Sequence, residues 1–208
     1  MRVLVACEQS GVVRDAFRQL GHEAWSNDMW DVEVEGIWDD CHLNGDCRQY
    51  LAGHEGVPWD LMIAHPPCTY LCASGKEWDN VIHGRRAKEK PAVDFVKELW
   101  AAPIHRICLE NPIGVLTRLF RPPDQIIQPY HFGENATKKT CLWLKNLPHL
   151  IGRKYFPPRL VRKGGKVYER WGNQSDAGND ITNSTQSKLR SRTYVGIAEA
   201  MAEQWGAL

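Results

Sequence analysis

The sequence predicts an α/β fold, an open and doubly wound sheet, and three observations predict it. Short apolar runs at residues 2–6, 23–27, 60–64 and 104–109 have the length and composition of buried strands. Between them apolar residues recur at helical spacing, as Val12, Val13, Ala16, Phe17 and Leu20, and again as Ala92, Val93, Phe95, Val96, Leu99 and Trp100. Each apolar run then stops at residues able to do chemistry: Cys7 to Gly11, Asp28, Pro66-Pro67-Cys68, and Glu110-Asn111. In an open α/β sheet, ligands bind at the carboxyl ends of the strands, so these stops mark one rim.

Bulk properties bound what such a chain can be. At 208 residues it holds one well-cored domain and a small appendage. No apolar run has the length of a membrane span, and the first residues turn polar too soon for a signal peptide. A soluble, cytoplasmic protein is expected, a monomer with no bound metal. Seven cysteines with no C-x-x-C pair argue against a disulfide frame or a zinc site, so reduced thiols are expected. The net charge of +1 conceals a division. Residues 1–60 hold four arginines against twelve Asp and Glu, whereas residues 153–192 hold ten Lys and Arg against Glu169, Asp176 and Asp180. Such a molecule attracts a polyanion from one side, and DNA is the expected partner.

The elements follow in order. Residues 2–6 enter the polar turn Cys7-Glu8-Gln9-Ser10-Gly11, and a helix runs from there to Gly21. The second strand ends at Asp28, seventeen positions after Gly11, where nucleotide-binding βαβ units carry a carboxylate that accepts from ribose hydroxyls. Asn44-Gly45-Asp46-Cys47 has the composition of a turn. The strand at 60–64 must stop at Pro66-Pro67, which leaves Cys68 on a stiff loop as a candidate nucleophile; the alternative is a cysteine that only packs. Residues 76–90 are polar and basic, long for a connection, and read as a flap beside the site that brings in Arg85 and Arg86. A strand at 104–109 delivers Glu110-Asn111-Pro112, and a helix over 114–119 follows. Residues 122–129 form an extended, proline-bounded stretch, and Lys138, Lys139 and Thr140 lead into a late strand ending near Leu144. Residues 148–187 are loop-rich and basic. A small-residue helix over 196–205 closes the chain.

Together these stretches resemble the cytosine-C5 DNA methyltransferase family, as a compact member of phage or prophage type. Pro66-Pro67-Cys68 with Ser74-Gly75 is similar to the family's nucleophile loop, Glu110-Asn111 to its Glu-Asn pair, and Asn44-Gly45-Asp46-Cys47 to its third motif. Ser10-Gly11 stands in the first motif, where Ala6 replaces the usual aromatic, and Lys138 and Thr140 fall on the arginine pair of the eighth. Five motifs span about residues 3–144 in family order, and the final helix resembles a sixth.

The resemblance implies a Rossmann-like, S-adenosylmethionine-dependent methyltransferase fold. It implies a catalytic domain over 1–147, a basic nucleic-acid-contacting region over 148–192, and a closing helix over 193–208. The implied catalytic residues are Cys68, Glu110 and Lys138. Ser10, Gly11, Asp28, Met29, Asp46, Cys47 and Pro66 would hold S-adenosylmethionine, while Arg85, Arg86, Lys139, Arg159, Arg162 and Lys163 would contact DNA. Two alternatives stand beside this reading. An amino-group methyltransferase carries Asp or Asn before Pro-Pro, where this chain has His65. A binding protein could keep the fold without the chemistry, and RNA or a nucleotide could replace DNA as substrate.

Overall fold

In the computed structural model, residues 1–33, 36–73, 84, 86–178 and 192–208 are described. Seven strands form one sheet: β1 (Arg2–Ala6), β2 (Glu23–Asp28), β3 (His42–Asn44), β4 (Leu61–Ala64), β5 (Arg106–Pro112), β6 (Gln125–Ile127) and β7 (Thr140–Lys145). Their order is β3-β2-β1-β4-β5-β7-β6. The β1–β2, β1–β4, β2–β3 and β4–β5 pairs are parallel, and β7 alone runs antiparallel to its neighbours β5 and β6. This is the doubly wound, Rossmann-like arrangement that the sequence predicts, with the strand order reversing between β1 and β4.

Both faces of the sheet are covered. Val3 and Val5 of β1 point to the side of α1 (Val12–Gln19) and α4 (Val195–Trp205), where Phe17, Met201 and Trp205 are buried. Leu4 and Ala6 point to the other side, against Val93, Val96 and Leu99 of α2 (Glu89–Trp100). Burial on two faces explains why the strands read as continuous apolar runs. Helix α1 begins without a cap from its own Gly11, which takes a left-handed φ of 72°. The buried Glu8 substitutes: its carboxylate accepts from the backbone N–H groups of Val13 (2.7 Å) and Arg14 (3.2 Å), two of the orphan donors of a first turn. A Cβ at Gly11 would lie 2.6 Å from the Arg14 guanidinium.

Strand lengths decide where the site forms. Pairing of β4 with β5 stops at Ala64↔Leu109, because Pro66 and Pro67 offer no N–H to continue the ladder. Strand β5 nevertheless runs on through Glu110, Asn111 and Pro112, held by β7 on its other edge down to Pro112↔Thr140. Sequence reading ends this strand at residue 109; the structure carries Glu110 within it. The expected helix over 114–119 shortens to α3 (Leu116–Leu119). No helix among the described residues is long and apolar enough to cross a membrane.

The region expected to be loop-rich contains an antiparallel ribbon, β8 (Arg159–Lys163) and β9 (Lys166–Arg170). Its turn is Gly164-Gly165, both at positive φ (58° and 74°), as a tight two-residue hairpin requires. At its root Trp171 stacks on Tyr130, with ring centroids 4.2 Å apart, and Asn173 exchanges two hydrogen bonds with the backbone of Thr137 (2.9 and 2.7 Å). Trp171 is buried, so Trp171→Ala should cost about 3–5 kcal/mol. Limited trypsinolysis should then cut residues 159–170 before the sheet melts; unchanged ribbon protection would show that the stack does not anchor it.

Candidate active site

The carboxyl ends of β1, β2, β3, β4 and β5 share one rim, and the antiparallel β7 starts there. Cys68 opens a 3-10 turn (Cys68–Tyr70) directly after the two prolines and is exposed. The segment after β5 packs hard against this loop: Val115 N–H donates to Leu71 C=O (2.8 Å) and Ala73 N–H to Ile113 C=O (3.0 Å). Gly114 permits the approach, since a Cβ there would lie 1.9 Å from the Leu71 carbonyl oxygen. From β5 itself, Asn111 donates to the Pro66 carbonyl (2.7 Å), and Glu110 meets His65.

The His65–Glu110 contact is the strongest in the site. His65 Nδ1 lies 2.7 Å from Glu110 Oε2, with side-chain exposures of only 13% and 11%. Burial alone raises the Glu110 carboxyl, but the Lys138 charge and then the His65 hydrogen bond outweigh it and hold it down to about 2. An ionised carboxylate only accepts, so Nδ1 carries the proton. Lys138 lines a narrow cleft with Glu110, Thr140, Thr193, Tyr194 and Ile197. Its backbone N–H is fixed by Gln128 Oε1 at 3.0 Å. The packing around Cys68 raises its thiol, nearby Cys72 adds to this, Lys138 opposes it, and Glu110 reinforces it. Deeper in the same wall burial pushes Cys141 up to about 11, which leaves it a thiol. Glu110 does not cap the next helix, since α3 has no side-chain cap.

A second group of residues lies at the ends of β1, β2 and β3. The turn after β1 is tight, with Cys7 at φ 59°. It is covered by the chain after β2, where Glu33 N–H donates to Gln9 C=O (2.8 Å). The Ser10 hydroxyl donates to Glu8 Oε1 (3.4 Å). Asp28 ends β2, and among the described residues its carboxylate accepts only a long bond from Trp30 N–H (3.3 Å); Met29 and Trp30 beside it are exposed. Asn27 donates to Leu43 C=O (2.6 Å) and Gly45 C=O (3.0 Å), fixing the third turn beneath Asp28. At Gly45 the position of a Cβ is open space. Two carboxylates on adjacent strand ends, with an open glycine between them, fit a ribose diol and a planar ring. Asp46 is already engaged, however, accepting from the Arg48 backbone N–H (3.0 Å) and guanidinium (2.5 Å), which lowers its carboxyl. Cys47 is buried behind it, with its Sγ 4.0 Å from that of Cys7.

The residues expected to meet DNA divide. Arg162 and Lys163 are on the ribbon and accessible. Arg159 is held at the ribbon root by Asp176 and the Gln174 carbonyl (2.6 Å). Arg153 pairs with Glu203, and Arg192 with Glu33 (2.8 Å), so part of the basic stretch serves the fold. Lys139 is exposed, next to the half-buried Lys138. Arg85, Ser74 and Gly75 lie outside the described residues, as does most of the expected flap at 76–90; Arg86 begins the 3-10 turn Arg86–Lys88 before α2. Sequence reading assigned no role to Glu8, whose partners become adjacent only in three dimensions. A cavity of about 450 Å³ lies against β6 and residues 150–155, lined in part by Arg153, but Cys68, Glu110 and Lys138 do not line it. The candidate site is marked by these converging side chains rather than by cavity size.

Glu110 also ties stability to pH. Its folded carboxyl sits below the unfolded value of 4.5, so its contribution is complete above that value and is lost as pH falls toward about 2. Urea unfolding at pH 7, 4 and 3 should show a steeper acid loss in the wild type than in Glu110→Gln. Parallel curves would mean that the carboxylate is not held by these partners.

No protein-family model matches the sequence, and no curated protein matches it. Among solved structures, it is similar to a candidate DNA modification methyltransferase encoded within a prophage (E. coli), at 13% identity and a TM-score of 0.49. That match covers 76% of this chain and 52% of the other, so the chain spans about half the length of its neighbour. The fold rests on the strand order given above.

Proposed function

We propose that this chain methylates DNA at C5 of cytosine, using S-adenosylmethionine and a transient bond from Cys68 to C6. The observation that carries this reading is the convergence of an exposed thiol, an ionised buried carboxylate and a lysine at one rim. Cytosine C5 is a poor nucleophile, and addition of a thiolate at C6 makes the ring an enamine able to react there. Lys138 is the group that favours the Cys68 thiolate against its packing and the Glu110 charge. Glu110 would meet the N3 and amino edge, where charge develops on addition. S-adenosylmethionine, when bound near Ser10, Gly11, Asp28, Met29, Asp46, Cys47 and Pro66, supplies the electrophilic methyl. Loss of H5 and expulsion of Cys68 Sγ then restore the aromatic ring. An amino-group reaction is less well supported, because the residue before Pro-Pro offers an imidazole whose Nδ1–H is spent on Glu110. A base in a duplex must leave the stack to reach this rim.

The ribbon supports a polyanion as partner. Arg159, Val161, Lys163, Lys166, Tyr168 and Arg170 share one face by register, while Leu160, Arg162, Val167 and Glu169 share the other. Lys163 and Lys166 lie directly opposite each other at the exposed tip, an arrangement that costs stability unless an anion relieves it. Thr137, bonded to the ribbon root, immediately precedes Lys138, so a duplex held by the ribbon lies close to the catalytic cleft.

Cys68→Ser should abolish transfer of labelled methyl to cytosine DNA and abolish the trapped adduct with 5-fluorocytosine, while cofactor affinity by calorimetry changes by less than a few fold. Retention of most of the rate would remove Cys68 as nucleophile. Replacing Lys163 and Lys166 with Gln should weaken all DNA sequences alike and reduce the log-log salt slope by about two, near one unit for each phosphate left without its lysine. Selective loss of one sequence would make the ribbon tip a base reader instead.

A further inference from the structure

His65 is the one strongly placed polar group that the proposed reaction leaves without a task. It lies immediately beyond β4, and its backbone N–H donates to the Ala6 carbonyl at 2.9 Å. Pro66 follows it, and the Pro66 carbonyl is held by Asn111 at 2.7 Å. The backbone on both sides is thus fixed, and the ring has little freedom to do anything but meet Glu110. Its far nitrogen, Nε2, is buried and has no hydrogen-bond partner among the described residues. A buried polar atom left unpaired costs about 1–3 kcal/mol, so an apolar side chain would fill this space at less cost. Native structures tolerate such atoms mainly where chemistry needs them.

The groups around the ring are unequal. Glu110 of β5 faces Nδ1, and Lys138, before β7, lies across the cleft from that carboxylate. On the other side is Glu8, in the turn after β1, a buried carboxyl raised by burial and lowered chiefly by the charge on His65. His65 therefore lies within electrostatic reach of two buried carboxylates, one hydrogen-bonded to it and one close by.

The proposed reaction needs a proton source. When Cys68 Sγ adds to C6, the electron pair of the C5–C6 double bond is pushed toward N3, and a proton must reach N3 to neutralise it. Glu110 is ionised and has no proton of its own to give. Resting on the cytosine reading, we propose that His65 is a positioning residue for Glu110 that both aims its carboxylate and supplies the proton it lends to N3. With the Cys68 thiol proton released to solvent and His65 entering as the imidazolium, one proton leaves His65 Nδ1 for the carboxylate as the Sγ–C6 bond forms, the carboxyl protonates N3, and His65 is left as a neutral imidazole protonated at Nε2. On elimination, H5 leaves to solvent, the Sγ–C6 bond breaks, and the N3 proton returns through Glu110 to His65. Atoms, protons and electron pairs balance, and no further reactant is required.

The test uses His65→Asn, whose Nδ2–H stands near the position of Nδ1 and keeps the bond to Glu110 but cannot ionise, beside His65→Ala, which loses both. First, wild-type enzyme is incubated with 5-fluorocytosine duplex and S-adenosylmethionine, and the Cys68 adduct is read by mass spectrometry. Absence of any adduct overturns the cytosine reaction and with it the relay. With the adduct in hand, His65→Asn should bind DNA and cofactor within about threefold of wild type and melt normally, yet lose on the order of 100-fold in single-turnover rate, the usual scale for a lost acid–base group. Its pH–rate profile should also lose a limb that the wild-type profile has. Nitrogen-15 imidazole spectra of the wild type should show the Nδ1 proton on His65, shifted in Glu110→Gln. A His65→Asn enzyme with wild-type rate and pH profile overturns the assignment while leaving the cytosine reaction standing. Equal losses in His65→Asn and His65→Ala, with an unaltered pH profile in both, would reduce His65 to a packing residue and overturn it too.

Discussion

Two prolines end β4 while β5 runs on for three more residues, and the site exists because of that difference in length. Had β4 continued, its backbone would have paired with Glu110 and Asn111 and closed the edge from which these side chains now reach. Instead the exposed edge of β5 is satisfied by the loop it faces: Asn111 holds the Pro66 carbonyl, Glu110 holds His65, and the chain after β5 bonds to Leu71 and Ala73. The nucleophile loop is thus fastened at both ends to the strand that carries the carboxylate. Gly114 at the crossing is a steric necessity, because no Cβ fits against the Leu71 carbonyl. Such fixing is what a catalytic pair needs, since misplacement by about 1 Å can cost about 100-fold in rate.

The electrostatics of the rim follow from the reversal of β7. An antiparallel strand begins where its parallel neighbours end, so Lys138 arrives at the rim without any long connection. Its cation counters the burial of Glu110 and eases ionisation of Cys68, two tasks that a carboxylate alone would set against each other. Glu110 raises the Cys68 thiol, and Lys138 lowers it. The thiol therefore stays protonated until something shifts that balance, which keeps a surface-exposed cysteine from being a permanent nucleophile.

Part of this was legible because some strands end at marked residues. The prolines at 66 and 67 and the carboxylate at 28 are punctuation that a single sequence carries, whereas the Glu-Asn pair at 110, read as a strand end, lies inside β5 because β7 pairs with it. The ribbon was missed, although Gly164-Gly165 between Arg159–Lys163 and Lys166–Arg170 is a recognised hairpin signal. It was hidden by the polar composition around it, since both strands are exposed and show little apolar alternation. What no sequence pattern gives is pairing across the fold. The capping of α1 by Glu8 from outside the helix, the commitment of Asp46 to Arg48, and the spending of Arg153, Arg159 and Arg192 on ion pairs each depend on partners brought near only by folding.

Those ion pairs change how the basic end of the molecule works. A run of ten cations reads in sequence as one broad phosphate-binding surface. In the structure, Arg159 and Arg170 are engaged at the ribbon root, Arg153 is turned to Glu203, and Arg192 bridges to Glu33 beside the turn after β1. Among the described cations of this stretch, Arg162, Lys163 and Lys166 lie exposed at the ribbon tip, around Gly164-Gly165, and Lys154 lies exposed outside it. A two-stranded ribbon is narrow enough to enter a major groove, and a tip with two opposed lysines brings charge there without the guanidinium forks that read guanine. On the reading proposed above, a ribbon so short, rooted through Trp171 and Asn173 beside Lys138, would suit fixing the distance between a phosphate backbone and the cleft at Glu110 better than reading a long sequence.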